Sequence, residues 1–170
     1  MAYPAIAAGQ RITAGLLRSM LPLTAYKTAD TLRTSTATLA DDPDLQIPLE
    51  ANATYFVEFF VHYATVTAAG FKTAWTVPPG AGGLRSAWGS ASGVASLDAE
   101  GDGRWGVHGF STTCAYGNRT NTNQLMVWET GDVVTGATAG TVAIQWAQVT
   151  SNAGQTRVAA RSFARATRIA

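Results

Sequence analysis

The run TYFVEFFVHYATV, from Thr54 to Val66, constrains this chain more than any other segment. Its odd positions are Tyr55, Val57, Phe59, Val61 and Tyr63, and its even positions include Phe56, Glu58, Phe60 and His62. Aromatic and β-branched residues at this density suit a half-buried pleated strand. The odd face reads as core. The even face mixes large rings with a carboxylate and an imidazole. Such a strand is buried on both faces, or buried on one and covered on the other by a neighbouring subunit or another part of the chain.

The last thirty-one residues, Gly140 to Ala170, point the same way. Val142, Ile144 and Trp146 alternate with Thr141, Ala143, Gln145 and Ala147, turn-forming residues cluster from Ser151 to Gln155, and a second run spans Thr156 to Ile169. Two β-prone runs around such a cluster predict a hairpin. A chain that stops on the second run predicts a terminal strand held inside the core sheet. Between these landmarks, Thr28 to Leu39 is Thr-rich, Asp41 to Asp44 reads as a turn around Pro43, and Leu45 to Leu49 as a short strand at an edge or a bulge because it carries Pro48. Phe71 to Val77, Arg104 to Cys114 and Gln124 to Glu129 read as strands. Ala81 to Gly103, rich in Gly and Ser, reads as a long loop or a pair of weak strands. Eight to ten strands at regular spacing, without crossovers long enough for helices, predict an all-β, antiparallel two-sheet jelly-roll sandwich over residues 25–170. Residues 1–24 read as a docking arm with one short helix. Thr13 caps it, Ile12, Leu16, Leu17 and Met20 recur at helical spacing, and Pro22 stops it. Arg11 and Arg18 make the opposite face of the arm basic.

Composition narrows the partners. Charged residues are 14% of the chain, against roughly 25% in typical soluble domains, and the net charge is +1. No global field draws in nucleic acid or an anionic membrane, and no run reaches the ~18 apolar residues of a membrane span. Neither nucleic acid nor membrane is therefore an expected partner. Charge is nevertheless segregated along the chain. Arg11, Arg18 and Lys27 precede the first acid, Asp30. Arg157, Arg161, Arg165 and Arg168 follow the last, Asp132, and Asp41, Asp42 and Asp44 form a knot between. Complementary contacts between subunits and solvated strand edges both account for this pattern. The single cysteine, Cys114, excludes an intrachain disulfide, so folding needs no oxidising compartment. Pro4 and the apolar residues precede Arg11, the reverse of a secretory signal's order, so synthesis in a cytoplasm without general export is expected.

The search for chemistry returns little. No GxSxG elbow occurs, and two histidines, His62 and His108, with one cysteine do not make a zinc motif. No cofactor fingerprint is present, and the chain is not expected to be an enzyme. Glu58 and Glu129 are strand carboxylates of the kind a glycosidase pairs, although two strand glutamates are expected by composition alone. Asp98, Glu100 and Asp102 precede Gly103 in a D-x-E-x-D-G pattern that can gather oxygen ligands around a cation. The pattern lacks the distal bidentate Glu of a calcium loop, and a solvated acidic turn accounts for it as well. Of the five tryptophans, Trp88 lies in the most Gly- and Ser-rich setting. It is the best candidate for an exposed indole stacked on a sugar.

The order GQRITAGLLRSMLP, the Asp-Pro-Asp turn, ANATYFVEFFVHY, FKTAWTVPPGA and the C-terminal run resembles small virion proteins and tail-protein C-terminal domains of phages and prophages of actinobacteria. The Gly131-Asp132 pair before a strand, and Ser162-Phe163 in the last run, are also similar to trimeric jelly rolls of the tumour-necrosis-factor and complement-head type. The resemblance implies a capsid decoration or cement protein that forms surface homotrimers. Phe56, Phe60 and His62 would form the trimer seam, and Arg11, Leu16, Leu17 and Arg18 would dock on a major capsid protein or tail component. The implied location is the virion surface, after synthesis in the host bacterial cytoplasm. The alternative it leaves open is a tail-fibre or tail-tip head that binds cell-wall carbohydrate.

Overall fold

The computed structural model describes residues 6–90 and 103–170. Its strands are β1 (Leu23–Tyr26), β2 (Thr31–Arg33), β3 (Ala40–Leu49), β4 (Thr54–Thr65), β5 (Phe71–Thr76), β6 (Arg85–Ser90), β7 (Gly103–His108), β8 (Cys114–Tyr116), β9 (Leu125–Val134), β10 (Gly140–Ala147), β11 (Thr156–Val158) and β12 (Phe163–Arg168). One helix, α1 (Ala14–Ser19), precedes them. Thr13 caps it by accepting the Leu16 N–H at 3.2 Å.

The strands form two antiparallel sheets. The larger runs β1-β12-β4-β9-β6-β7, with β11 also on β4 and β2 on β11; the smaller runs β3-β10-β5-β8. The pairings nest: β1 and β2 with β12 and β11, β3 with β10, β4 with β9, β5 with β8, and β6 with β7. A long two-stranded ribbon folded over on itself produces this nesting, which is the jelly-roll topology. The expected all-β sandwich is borne out.

The β4 prediction holds residue by residue on the inner face. Tyr55, Val57, Phe59, Val61 and Tyr63 are all buried, and they pack with Leu45, Ile47, Phe71, Trp75, Tyr116 and Trp146 from the smaller sheet. Tyr63 stacks on Phe71, and Trp75 meets Phe59 edge-on.

Several boundaries differ from the sequence reading, each for a local reason. Asp41 to Asp44 is not a turn between elements. It lies inside β3 as a large bulge, where the pairing steps from Ala143↔Gln46 to Gln145↔Asp41. Asp42 points inward there and is fully buried. Leu45–Leu49 does lie at a sheet edge, as Pro48 requires. The run from Arg104 to Cys114 is broken into β7 and β8 by a turn closed by Thr112 N–H donating to Gly109 O. The strand at Gln124–Glu129 continues through Gly131 to Val134. At Gly131 a Cβ would sit 2.5 Å from the Leu84 carbonyl oxygen, so only glycine lets β6 approach β9 there.

The final run is also broken. β11 and β12 both pair with β4, at Val158↔Tyr63 and Phe163↔Phe60, so four residues, 159–162, oppose two. Arg161 takes a left-handed φ of 70° in this break. Buried Ser162 repairs the ladder: its Oγ accepts the His62 N–H at 3.0 Å and donates to Ala159 O at 2.8 Å. The partner strand breaks at the same level, between β1 and β2. There Lys27 N–H donates to Ser162 O at 2.9 Å, and Arg161 N–H to Lys27 O at 2.8 Å. Ser162→Ala leaves the His62 N–H without this acceptor, a cost of about 1–3 kcal/mol. The melting temperature should fall by roughly 2–4 °C per kcal/mol. Thermal unfolding followed by circular dichroism measures it, and an unchanged midpoint would mean the hydroxyl is dispensable.

Candidate functional site

Register places one aromatic residue from each of five strands of the larger sheet in a single row across its outer face. Tyr26 (β1) is opposite Phe163 (β12), Phe163 opposite Phe60 (β4), Phe60 opposite Trp128 (β9), and Trp128 opposite Trp88 (β6). Trp88 in turn is in register with Trp105 of β7, whose side chain lies outside the described residues. The five strands at about 4.8 Å spacing make the row about 19 Å long. Residues of adjacent strands in direct register share a face, and the exposures agree: Tyr26 is 59% exposed, Trp88 41%, Trp128 38% and Phe163 37%. The next row is polar, with Thr24, Arg165, Glu58, Thr130 and Ser86 in register. There Arg165 Nε donates to Glu58 Oε2 at 2.7 Å.

The two halves of the row differ in shape. At the β12–β4 end, Phe60 and Phe163 stack nearly parallel, with ring centres 5.6 Å apart. At the β9–β6 end, Trp88 and Trp128 are tilted by 50° and border a groove of about 590 Å³ with His62, Ser90, Gln124 and Met126. Of the three seam candidates, Phe60 lies in the row and Phe56 lies beyond the polar row, 41% exposed. His62 meets Phe60 edge-on and lines the groove. Trp88, the carbohydrate candidate, borders the same groove. The alignment of Tyr26, Phe163 and Trp128 was not visible in the sequence, because each is a single aromatic in its own strand and only long-range register brings them together.

The strand carboxylates do not meet. Glu58 lies on the outer face, and Glu129, opposite Phe59 in register, points into the sandwich. Glu129 is fully buried and fully engaged. Its Oε1 accepts from Thr73 Oγ1 and Tyr116 OH, both at 2.5 Å. Its Oε2 accepts from Trp75 Nε1 at 2.6 Å and pairs with Arg85, which is also fully buried. Thr73, Trp75 and Tyr116 come from the smaller sheet, so the cluster ties the two layers together.

A second buried cluster closes the other side of the sandwich. Lys27, one of the three cations that precede the first acid in the sequence, has no exposed surface. Its Nζ donates to Asp42 Oδ1 at 2.9 Å, Asp44 Oδ2 at 2.6 Å and Thr31 Oγ1 at 2.6 Å. Trp146 Nε1 donates to Asp42 Oδ2 at 3.0 Å, and the Arg33 guanidinium lies 3.9 Å above the Trp146 ring. Much of the segregated charge is matched within the chain, through Lys27 with the acidic knot, Arg157 with Asp30, Arg165 with Glu58 and Arg168 with Glu50.

In the arm, Ile6, Ile12, Leu17 and Leu21 are between 47% and 65% exposed. Arg11 is exposed and Leu16 half-buried, while the Arg18 side chain lies outside the described residues, as do Asp98, Glu100 and Asp102. Among the described residues no group of three or more His, Cys, Asp or Glu could hold a metal ion. No helix among them is long and apolar enough to cross a membrane.

Burial pushes the Tyr116 hydroxyl far above the ordinary phenolic range, with the Glu129 charge adding to the effect, and burial pushes Tyr63 up as well. The folded state thus favours both neutral phenols. Their contribution is complete below the unfolded value of about pH 10 and is lost as pH rises beyond it. In an alkaline titration these two tyrosines should ionise only together with unfolding; ionisation ahead of unfolding would contradict this. Glu129→Leu strands the buried Arg85 charge and should destabilise by about 3–5 kcal/mol, with Arg85→Met in the same chain recovering most of it. Urea unfolding of the single and double variants measures both effects.

No protein-family model matches the chain, and no curated protein matches it. Among solved structures, it is similar to a chain of the infectious bursal disease virus Gx strain structure, at 7% identity and a TM-score of 0.24, over 88% of this chain and 40% of that one. It is similar also to a chain of the Gt strain structure, at 9% identity and a TM-score of 0.21, over 87% and 40%. The chain spans less than half the length of these viral chains. Its jelly-roll assignment rests on the nested strand pairing.

Proposed function

We propose that this chain is a structural protein of a bacteriophage virion, a capsid decoration or cement protein that assembles as a surface homotrimer through the outer face of its larger sheet. The observation that carries the reading is the β1–β12–β4 end of the aromatic row. The stacked, partly exposed Phe60 and Phe163, with exposed Tyr26 in register beside them and a polar row alongside, make the apolar centre and polar rim expected of a protein–protein interface. The resemblance to trimeric jelly rolls supplies the symmetry, and a trimer on a threefold capsid position matches symmetry to symmetry. The exposed apolar residues of the arm, beside basic Arg11, suit a segment that docks on a major capsid protein or tail component. The reading is of a non-catalytic role, and it fits that Glu129 is occupied by four donors while Glu58 faces away from it, paired with Arg165.

Light scattering on the purified chain should give three times its mass of 17.8 kDa. Phe60→Asp, which puts a charge at the centre of the stack, should give a folded monomer. A wild-type monomer at micromolar concentration would falsify the trimer. Immunogold labelling of particles locates the protein: label on the capsid is the expected result, label on the tail favours the tail-head alternative, and unlabelled particles end the virion reading.

A further inference from the structure

We propose that the groove bordered by Trp88 and Trp128 binds a neutral sugar unit, a hexopyranose or an N-acetylhexosamine, of a glycan. This goes beyond the structural role and does not depend on the trimer. The groove's volume, about 590 Å³, falls in the range of roughly 300–1,000 Å³ typical of small-ligand sites. Two partly exposed indoles, 5.6 Å apart and tilted by 50°, offer angled aromatic walls, and such walls stack on the C–H faces of a pyranose. Around them the Gln124 amide and the His62 imidazole, together with the Ser90 hydroxyl that also meets the Tyr63 hydroxyl at 3.4 Å, supply both donors and acceptors for sugar hydroxyls. A purely apolar occupant would strip water from these three polar groups without replacing its hydrogen bonds.

Charge selects among sugars. Among the described residues no Asp, Glu, Lys or Arg lines the groove. Among these lining residues an acidic sugar finds no cation to offset its desolvation, and a neutral one incurs no such cost. The walls are also rigidly placed. Trp88 and Trp128 are direct register partners on adjacent strands, and β6 is anchored at its first residue by the buried Arg85–Glu129 pair.

The test titrates the full chain with the methyl glycosides of glucose, galactose and N-acetylglucosamine, and with glucuronic acid. Tryptophan fluorescence is read, with oligomer mass measured in parallel. At least one neutral glycoside should give a saturable change around millimolar concentration, with glucuronic acid weaker by about tenfold or more. Trp88→Ala and Gln124→Ala should each weaken binding by about tenfold or more, with fold and oligomer mass unchanged. Phe60→Asp should lose the trimer and keep the sugar. The proposal is overturned if none of the three glycosides gives a saturable response, or if glucuronic acid binds as well as they do. It is also overturned if Trp88→Ala and Gln124→Ala dissociate the oligomer, since the groove then belongs to the seam.

Discussion

The buried pair of Glu129 and Arg85 is the interaction on which the two-layer arrangement depends. A carboxylate and a guanidinium without solvent exposure are tolerable only when every partner is in place. Here the partners come from both sheets. Thr73 and Trp75 on β5 and Tyr116 on β8 converge on a glutamate of β9, and Arg85 of β6 completes the set while reaching the Thr112 carbonyl at 2.5 Å. Such a cluster contributes little net stability compared with a hydrophobic replacement. It does penalise any register that separates its members, because each leaves a charge or polar group unpaired in the core. Register is what a sheet with a functional face must protect: a slip of one residue sends every side chain to the opposite face. The aromatic row is aligned because β4, β9 and β6 are not free to slide.

Lys27 does the same for the opposite edge. The β1–β2 and β12–β11 strands both break at one level, and a break is where a strand pair loses its ladder hydrogen bonds. Ser162 repairs the backbone there, while Lys27 turns into the sandwich and is satisfied by three oxygens, two of them carboxylates within the β3 bulge. Bulge and break are thus complementary. The bulge delivers Asp42 and Asp44, and the break delivers Lys27. Either irregularity alone would leave uncompensated charge in or near the core.

What the sequence made legible follows from which signals are local. The alternation in Tyr55–Tyr63 and Val142–Trp146 was visible because burial of one strand face writes itself every second residue. The helix cap at Thr13 and the edge position of Pro48 are equally local. The Asp41–Asp44 segment was misread as a turn because Asp, Pro and Asp carry turn propensity wherever they occur, and only the distant Lys27 and Trp146 show that the acid is consumed inside. The break at 159–162 was hidden because Ala159, Ala160 and Ser162 interrupt no pattern. The aromatic row was the least legible feature. Phe60 and Trp88 stood out for different reasons, and nothing in either segment signals that Trp128 lies between them.

The shape of that row gives the one sheet two different surfaces. Where rings stack on each other, as Phe60 and Phe163 do, their facing surfaces are already used, and further apolar area is gained by pressing another surface against their exposed sides. Where rings tilt apart, as with Trp88 and Trp128, a second protein face would bridge the gap and leave a void, whose lining loses its dispersion contacts. A small rigid ring can enter that gap and touch both walls. The polar groups follow the same division: Glu58 and Arg165 beside the stack satisfy each other, whereas the groove has the exposed Gln124 amide at its border. Stacked rings with self-satisfied charge suit a second protein surface, and a concave aromatic pair with an uncharged polar neighbour suits a ligand that brings its own hydroxyls.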